Sequence, residues 1–160
     1  MTIDLGCGRQ KRGDVGIDAR PGPGVDLVCQ VGFEPIPLPD GIADAVFAFD
    51  FLEHLPPTAP WRDATGGWHL HYPRIACLRD VYRLLRPGGR FVSWTPTALP
   101  AWAQDPTHTA PPWVPETWDY FCGRHPGAAT ADIDFAFRLV LRQVCATHLL
   151  VVVERPAAGS

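Results

Sequence analysis

Two glycines and one carboxylate near the start of the chain have the types and spacing of a nucleotide-binding turn. Gly6 and Gly8 follow a short apolar run, and Asp18 ends the next such run. Glycines let the backbone turn sharply after a strand and admit a ligand close to it, while an acidic residue ending the following strand can accept both hydroxyls of a ribose. The sequence therefore predicts a site for a nucleotide-like ligand within residues 4–18.

Candidate groups for proton transfer lie further along the chain. Asp105 and His108 belong to a proline-rich segment, and His54 follows a glutamate. An imidazole titrates near neutral pH, so His108 is the first candidate for a general base, with Asp105 orienting it, and His54 is the second. Two structural alternatives stay open: Asp105 can cap a turn through Pro106, and His54 can simply lie at the start of a helix.

Neither the histidines nor the cysteines form a recognisable metal-binding pattern. His69 and His71 could face the same side of a strand, but no acidic residue lies at a sequence spacing that would mark it as a further metal ligand. The five cysteines are scattered and include no C-x-x-C pair, which argues against a disulfide framework and a structural zinc site. We expect no metal ion, and reduced thiols as in a cytoplasmic protein.

The composition is that of one globular domain spanning residues 1–160. Hydrophobic residues make up 46% of the chain and charged residues 19%, which is enough for a substantial core. The net charge of -3 gives no electrostatic reason to expect nucleic acid or an anionic membrane as a partner. No apolar run approaches the roughly 20 residues of a membrane span. We expect a cytoplasmic protein with a small-molecule substrate.

The elements that must position these residues are strands separated by a few helices, which predicts an α/β fold. Seven strand-like runs cover residues 2–5, 15–18, 26–30, 44–49, 90–94, 135–145 and 148–154. A helix is predicted over 73–86, where apolar residues recur on one face before a Pro-Gly-Gly sequence. Residues 95–121, rich in proline and tryptophan, are expected to form a functional loop or lid with a short helix near 115–121.

The first two crossovers are too short to contain a full helix. A connection between parallel strands normally needs about a dozen residues including its helix, and residues 6–14 and 19–25 fall short of that. One face of the sheet then loses its usual cover, although parallel sheets are normally buried on both faces. We expect the tryptophan-rich loop, the connections of the last strands, or a second subunit to cover it, and we predict a homodimer or partner contact there.

Four segments, in the correct order, resemble the class I S-adenosylmethionine-dependent methyltransferases. They are residues 3–8 (IDLGCG), 37–44 (PLPDGIAD), 51–55 (FLEHL) and 83–90 (RLLRPGGR). The resemblance covers roughly residues 1–95, and the helices that usually precede the first strand are missing. The chain is therefore similar to a compact subgroup of that family.

The resemblance implies a Rossmann-like, seven-stranded, mostly parallel sheet of order 3-2-1-4-5-7-6, with the last strand antiparallel and reduced helices on one face. It also implies S-adenosylmethionine as cofactor, with Gly6, Cys7 and Gly8 beside the methionine portion and Asp18 on the ribose. Gln30 stands where the family often has Asp at the adenine edge, and its side-chain carbonyl can still accept a hydrogen bond. The full set of implied cofactor-binding residues is Asp4, Gly6, Cys7, Gly8, Asp18, Ala19, Gln30, Val31, Asp50 and Phe51.

The expected activity is transfer of a methyl group to an oxygen or nitrogen atom of a small-molecule acceptor. Trp102, Trp113, Trp118 and Tyr120 could supply apolar walls for such an acceptor. One alternative is a non-catalytic, methyltransferase-like subunit that stabilises a partner. A second is an NAD-dependent oxidoreductase, although its G-x-G-x-x-G fingerprint would need a glycine at Lys11.

Overall fold

A seven-stranded sheet forms the centre of the computed structural model, which describes residues 1–97 and 105–157. The strands are β1 (Thr2–Leu5), β2 (Val15–Asp18), β3 (Leu27–Val28), β4 (Ala43–Phe49), β5 (Ala59–Arg62), β6 (Trp68–His71), β7 (Leu85–Pro96), β8 (Arg138–Cys145) and β9 (His148–Glu154). The α-helices are α1 (Pro73–Leu84) and α2 (Thr117–Phe121), and short 3-10 helices span Leu52–His54 and Pro126–Ala131. None of the helices in the described part of the chain has the length and hydropathy of a membrane span.

The strand order of the large sheet is β3-β2-β1-β4-β7-β9-β8. Because β5 and β6 form a separate two-stranded sheet, the seven strands counted along the chain have the order 3-2-1-4-5-7-6. Strands β1 to β4 and β7 pair in parallel, whereas β9 runs antiparallel to both β7 and β8. The predicted fold class, strand order and reversed last strand are therefore confirmed.

Helix α1 covers one face of the sheet. Pro73 occupies its first turn, where a missing N–H costs nothing, and the apolar residues Cys77, Leu78 and Val81 are buried against the sheet. The helix ends two residues earlier than the sequence predicts. The reason is that Leu85 adopts an extended conformation and pairs with Ala43 as the first residue of β7.

The proline- and tryptophan-rich segment contributes to the core on this same face. Trp113 and Trp118 are almost fully buried, and the Trp118 ring lies 6.1 Å from that of Phe91 in β7. The Trp113 indole N–H donates a hydrogen bond of 2.9 Å to the Leu52 carbonyl oxygen. The predicted acceptor wall at Trp102 lies outside the described residues. Trp113 and Trp118 help to build the core rather than to cover the opposite face.

The opposite face of the sheet carries apolar side chains that are only half-buried. In the described residues no helix occurs between β1 and β2 or between β2 and β3, as the short spacings predict. The half-buried side chains are contributed by the three adjacent strands β4, β7 and β9: Phe47, Phe49, Val92, Trp94, Leu150 and Val152. This set is called the open face below.

The hairpin formed by β5 and β6 is absent from the predicted elements. Its strands pair in the register Trp61 with His69, and Asp63 holds the turn by accepting hydrogen bonds from the backbone N–H groups of Thr65 and Gly67. The structure also gives His69 an acidic partner that sequence inspection missed, since its Nε2 lies 2.6 Å from Asp63 Oδ2. His71 instead contacts the carbonyl oxygen of Gly32, so the two histidines have different hydrogen-bond partners.

Candidate functional site

The turn after β1 is shaped by two glycines with positive φ. Gly6 (φ +66°) and Gly8 (φ +56°) lie in the left-handed region that favours glycine. A Cβ atom on Gly6 would lie 2.4 Å from Cδ2 of Phe51, whereas one on Gly8 would meet nothing within 4 Å. The Gly6 and Cys7 N–H groups both donate to the Ile17 carbonyl oxygen, at 2.8 and 3.2 Å. The turn therefore lies tight against β2 and Phe51 at Gly6 and is open at Gly8.

Asp18 links the end of β2 to this turn. Its Oδ2 accepts a hydrogen bond of 3.0 Å from the Gly8 N–H, and its Oδ1 accepts one of 3.1 Å from the Arg20 N–H. A carboxylate oxygen has two lone pairs, so each oxygen can accept a further bond from a hydroxyl. Ala19, between these partners, is exposed. The end of β2 therefore fits the two hydroxyls of a ribose.

Asp4 is buried beneath the turn with one oxygen unsatisfied. Its side chain is 1% exposed, and Oδ2 accepts a hydrogen bond of 2.7 Å from the Arg12 N–H. Oδ1 has no hydrogen-bond partner among the described residues, and burial raises the pKa of the Asp4 carboxyl. The Cys7 side chain is also buried, with its thiol 3.3 Å from the Gly24 carbonyl oxygen, so Cys7 can offer a ligand only its backbone. An orphaned oxygen and an open glycine are features that a bound polar ligand would satisfy.

Gln30 and Val31, the residues expected at the adenine edge, differ in their exposure. Gln30 is exposed and lines a cavity of about 730 Å³ together with Phe33, Pro60 and Trp61, whereas Val31 is buried in the core. Pro60 and Trp61 belong to the β5–β6 hairpin, which the sequence did not predict. The lining is predominantly apolar, and its polar groups are the Gln30 amide, the Glu34 carboxylate and the His71 imidazole, a combination that suits a planar nitrogen heterocycle.

A second cavity, of about 560 Å³, opens where β4 and β7 end. It is lined by Asp50, Glu53, His54, Pro96, Asp105, Pro106, His108 and His148. The three predicted proton-transfer residues therefore lie around one cavity, together with Asp50 of the predicted cofactor set. Phe51, the residue after Asp50, packs its ring on Gly6 and so joins this cavity to the glycine turn.

Glu53 is a buried carboxyl in this cavity wall that the sequence analysis did not select. It is 1% exposed, and its Oε1 lies 3.8 Å from His108 Nε2. Burial, and to a smaller extent the charges of Asp50 and Asp105, raises the pKa of Glu53 to about 7. The sequence signal that could have identified Glu53 is its place in the mostly apolar run FLEHL, directly before the candidate base His54.

Asp105 caps the turn and also lies within ion-pair distance of His108. Its Oδ1 accepts hydrogen bonds of 2.8 and 2.7 Å from the backbone N–H and the hydroxyl of Thr107, which makes it the cap of the turn and lowers its pKa. Its Oδ2 lies 3.7 Å from His108 Nε2. This separation is that of an ion pair rather than a hydrogen bond, so Asp105 stabilises charge on the ring without fixing its orientation.

His54 and His148 complete the cavity wall. The His54 ring meets the His108 ring edge-on, with 5.0 Å between their centroids, and its Nδ1 lies 3.1 Å from the Thr107 hydroxyl. His148 Nε2 lies 3.2 Å from Asp50 Oδ1, and its ring stacks on Trp94 at a centroid distance of 4.9 Å. Sequence reasoning missed His148 because the pairing of β7 with β9 places it there.

The strand order, the glycine turn after β1 and the acidic end of β2 together define the class I fold of the S-adenosylmethionine-dependent methyltransferases. The family model for the methyltransferase domain matches residues 9–93, more than half of the chain. The chain therefore belongs to the methyltransferase-domain family. The expectation of S-adenosylmethionine as cofactor is confirmed at the level of this family and fold.

Solved structures resemble this chain at low sequence identity. The complex between the Haloferax volcanii Trm112 methyltransferase activator and its methyltransferase matches with a TM-score of 0.60 and 13% identity, over 99% of this chain and 83% of that one. A SAM-dependent methyltransferase from Archaeoglobus fulgidus gives a TM-score of 0.60 and 15% identity, over 96% and 85% of the two chains. The 1,6-didemethyltoxoflavin-N1-methyltransferase of Burkholderia thailandensis, solved with its namesake ligand and S-adenosylhomocysteine, gives 0.55 and 16%, over 97% and 70%. At these identities the likeness establishes the fold alone. Comparison with curated protein sequences gave no match.

Proposed function

We propose that this protein transfers a methyl group from S-adenosylmethionine to an oxygen or nitrogen atom of a small-molecule acceptor. One observation carries the proposal: the glycine turn is bonded to Asp18 on one side and packed by Phe51 on the other. The ribose-binding group and the second cavity are thereby held on either side of a single turn. This is the arrangement that a cofactor with a reactive group at one end requires.

The cofactor would lie along the carboxyl ends of β1, β2 and β4. Asp18 would accept the ribose hydroxyls, Gly8 would admit the chain of the methionine portion, and the unsatisfied oxygen of Asp4 would meet its amino group. Gln30 and Trp61 would hold the adenine in the apolar cavity. When bound, S-adenosylmethionine supplies an electrophilic methyl group, so the protein needs mainly to align the acceptor and exclude water.

The acceptor would occupy the cavity at the ends of β4 and β7. For an acceptor that carries a proton, His108 is our first candidate for the group that removes it, because it is 9% exposed and lies between the carboxyls of Glu53 and Asp105. These carboxyls would stabilise the imidazolium that forms. His54, on the exposed rim, is the second candidate.

Calorimetric titration with S-adenosylmethionine and S-adenosylhomocysteine tests the cofactor assignment. Asp18→Ala should weaken binding by tenfold or more, on the order of 1.5 kcal/mol for lost charge-assisted hydrogen bonds. Asp134→Ala removes an exposed carboxylate whose one ion pair within the described residues is with Arg79, and it should leave the affinity unchanged. Failure to bind either compound would favour the non-catalytic subunit, and binding of NAD instead would favour the oxidoreductase.

We also propose that a second copy of the chain, or a partner subunit, covers the open face. The support is the half-buried set that includes Phe47, Val92 and Val152, since apolar sheet faces of this kind are normally covered. A similar methyltransferase was solved with an activator protein. Val152→Glu should shift sedimentation toward the monomer, whereas Val144→Glu, on the outer strand β8, should not. A monomeric wild-type protein at micromolar concentration would count against a dimer.

A further inference from the structure

Three side chains that can bind a metal converge in the wall of the acceptor cavity. One ligand atom each from Glu53, His54 and His108 lies within 4.8 Å of the other two. Two imidazoles and one carboxylate are typical ligands of first-row divalent metals, Zn²⁺ above all, at about 2.0–2.2 Å from the ion. Tetrahedral geometry at those lengths separates ligand atoms by roughly 3.4 Å. The 3.8 Å between Glu53 Oε1 and His108 Nε2 is close to this spacing.

The burial of Glu53 is the first indication that the cluster binds a cation. Its Oε2 has no hydrogen-bond partner among the described residues, although the side chain is 1% exposed. Asp80 shows how the same molecule satisfies a structural carboxylate, because the Ile36 N–H and the Arg83 guanidinium bond its two oxygens at 3.0 and 2.6 Å. An unsatisfied buried carboxylate costs several kcal/mol unless a counter-charge or hydrogen bond compensates it. A cation between Glu53 and the two imidazoles would supply that charge.

The hydrogen bonds of His54 are the second indication. Thr107 Oγ1 lies 2.7 Å from Asp105 Oδ1 and 3.1 Å from His54 Nδ1. A hydroxyl has one proton, and a carboxylate can only accept, so the Thr107 hydroxyl donates to Asp105 and accepts from the His54 Nδ1–H. The imidazole then carries its proton on Nδ1 and a lone pair on Nε2. Histidines that bind metals are held in this way, by a hydrogen bond from the other ring nitrogen.

We propose that Glu53, His54 and His108 bind one divalent transition-metal ion of the Zn²⁺ type in the wall of the acceptor cavity. Asp105, with its Oδ2 3.7 Å from His108 Nε2, is the adjacent carboxylate that can complete the charge balance. A site with three protein ligands keeps a coordination position open, and an oxygen or nitrogen atom of the acceptor would take it. Only this last role rests on the proposed methyl transfer. With the ion bound, His108 serves as a ligand, and the proton-removing role assigned to it above applies to the metal-free protein.

The test is metal binding by the full chain, measured without any methyl acceptor. Protein freed of metal by a chelator is titrated with Zn²⁺ by calorimetry and with Co²⁺ by visible absorption, whose intensity reports a four-coordinate site. We expect one equivalent of Zn²⁺ to bind, and we expect Glu53→Gln and His54→Ala each to weaken that binding by tenfold or more. His69→Ala is the matched control, because it removes a histidine that already pairs with an aspartate, Asp63, at 2.6 Å, and it should bind Zn²⁺ like the wild type.

Two outcomes would overturn the proposal: no stoichiometric Zn²⁺ binding, or binding that Glu53→Gln and His54→Ala leave unchanged. His54 is exposed, so His54→Ala tests the site even if the buried Glu53 variant fails to fold. The affinity for S-adenosylhomocysteine, measured on the same samples, tests the proposed function independently of the metal site. A wild-type protein that binds S-adenosylhomocysteine but no stoichiometric Zn²⁺ refutes the metal site alone, whereas a wild-type protein that binds no S-adenosylhomocysteine refutes the methyl-transfer assignment.

Discussion

Replacing Gly6 with alanine should destabilise the fold far more than replacing Gly8. Both glycines have positive φ, so an alanine at either position costs about 1–2 kcal/mol of backbone strain. At Gly6 the new methyl group would also lie 2.4, 2.7 and 2.9 Å from Cδ2, Cγ and Cβ of Phe51. Relief of such overpacking typically costs about 1–3 kcal/mol more. The expected losses are therefore about 2–5 kcal/mol for Gly6→Ala and about 1–2 kcal/mol for Gly8→Ala.

Urea denaturation of both variants, of Phe51→Ala and of the Gly6→Ala/Phe51→Ala double variant measures these losses. Phe51→Ala in the Gly6→Ala background removes the ring that the methyl group meets, so the two changes should show a coupling energy of about 1–3 kcal/mol. Gly8→Ala adds its methyl group where a ligand would approach, and it should weaken S-adenosylhomocysteine binding while leaving the protein folded. Equal losses of stability in the two single variants, or a coupling energy near zero, would refute the argument.

Three further predictions concern residues outside the glycine turn. Trp113→Phe should cost about 1–3 kcal/mol in thermal or chemical unfolding, because the Leu52 carbonyl oxygen keeps only the Leu55 N–H as a donor and the smaller ring leaves part of a fully buried site unfilled. Asp80→Ala should cost about 1–3 kcal/mol in the same measurement, because the buried Ile36 N–H loses its acceptor, while the Arg83 guanidinium keeps Asp40 as a carboxylate partner. Hydrogen bonds from Thr65, His69 and Gly67 lower the pKa of Asp63 to about 2, below its ordinary value of 3.8. The stability that Asp63 adds to the hairpin is therefore present above pH 4 and is lost as the pH falls through about 2, which carboxyl-carbon NMR would follow.

Three of the strands could be predicted closely because their patterns are local. The strands at 2–5, 15–18 and 148–154 match β1, β2 and β9, since each is a short apolar run with clear ends. The β5–β6 hairpin was missed for a physical reason. Its strands are mostly exposed and carry a proline, so they show neither the alternation nor the composition that marks a buried strand.

The acceptor cavity was only partly predictable because distant segments build it. His108 and Asp105 stood out as residue types, but Glu53 becomes a buried partner only when Thr109 donates its N–H to the Glu53 carbonyl oxygen at 2.9 Å. That contact crosses more than fifty residues of sequence. His148 likewise enters the wall through the register of β9 with β7, where it stands opposite Pro96. No local pattern in the chain encodes either encounter.

The central position of β1 has a consequence for the order in which the two halves of the cofactor site can form. Ile3 pairs with Val15 on one side and with Val46 on the other, at sequence separations of 12 and 43 residues. Closing the longer loop costs about 1 kcal/mol more in chain entropy, since each doubling of length adds about 0.6 kcal/mol. The half that contains Asp18 can therefore assemble early, because it needs only the short stretch of chain from β1 to β2. We expect the half containing Phe51 to form with the slower, long-range closure, and the glycine turn to acquire its final shape in that later step.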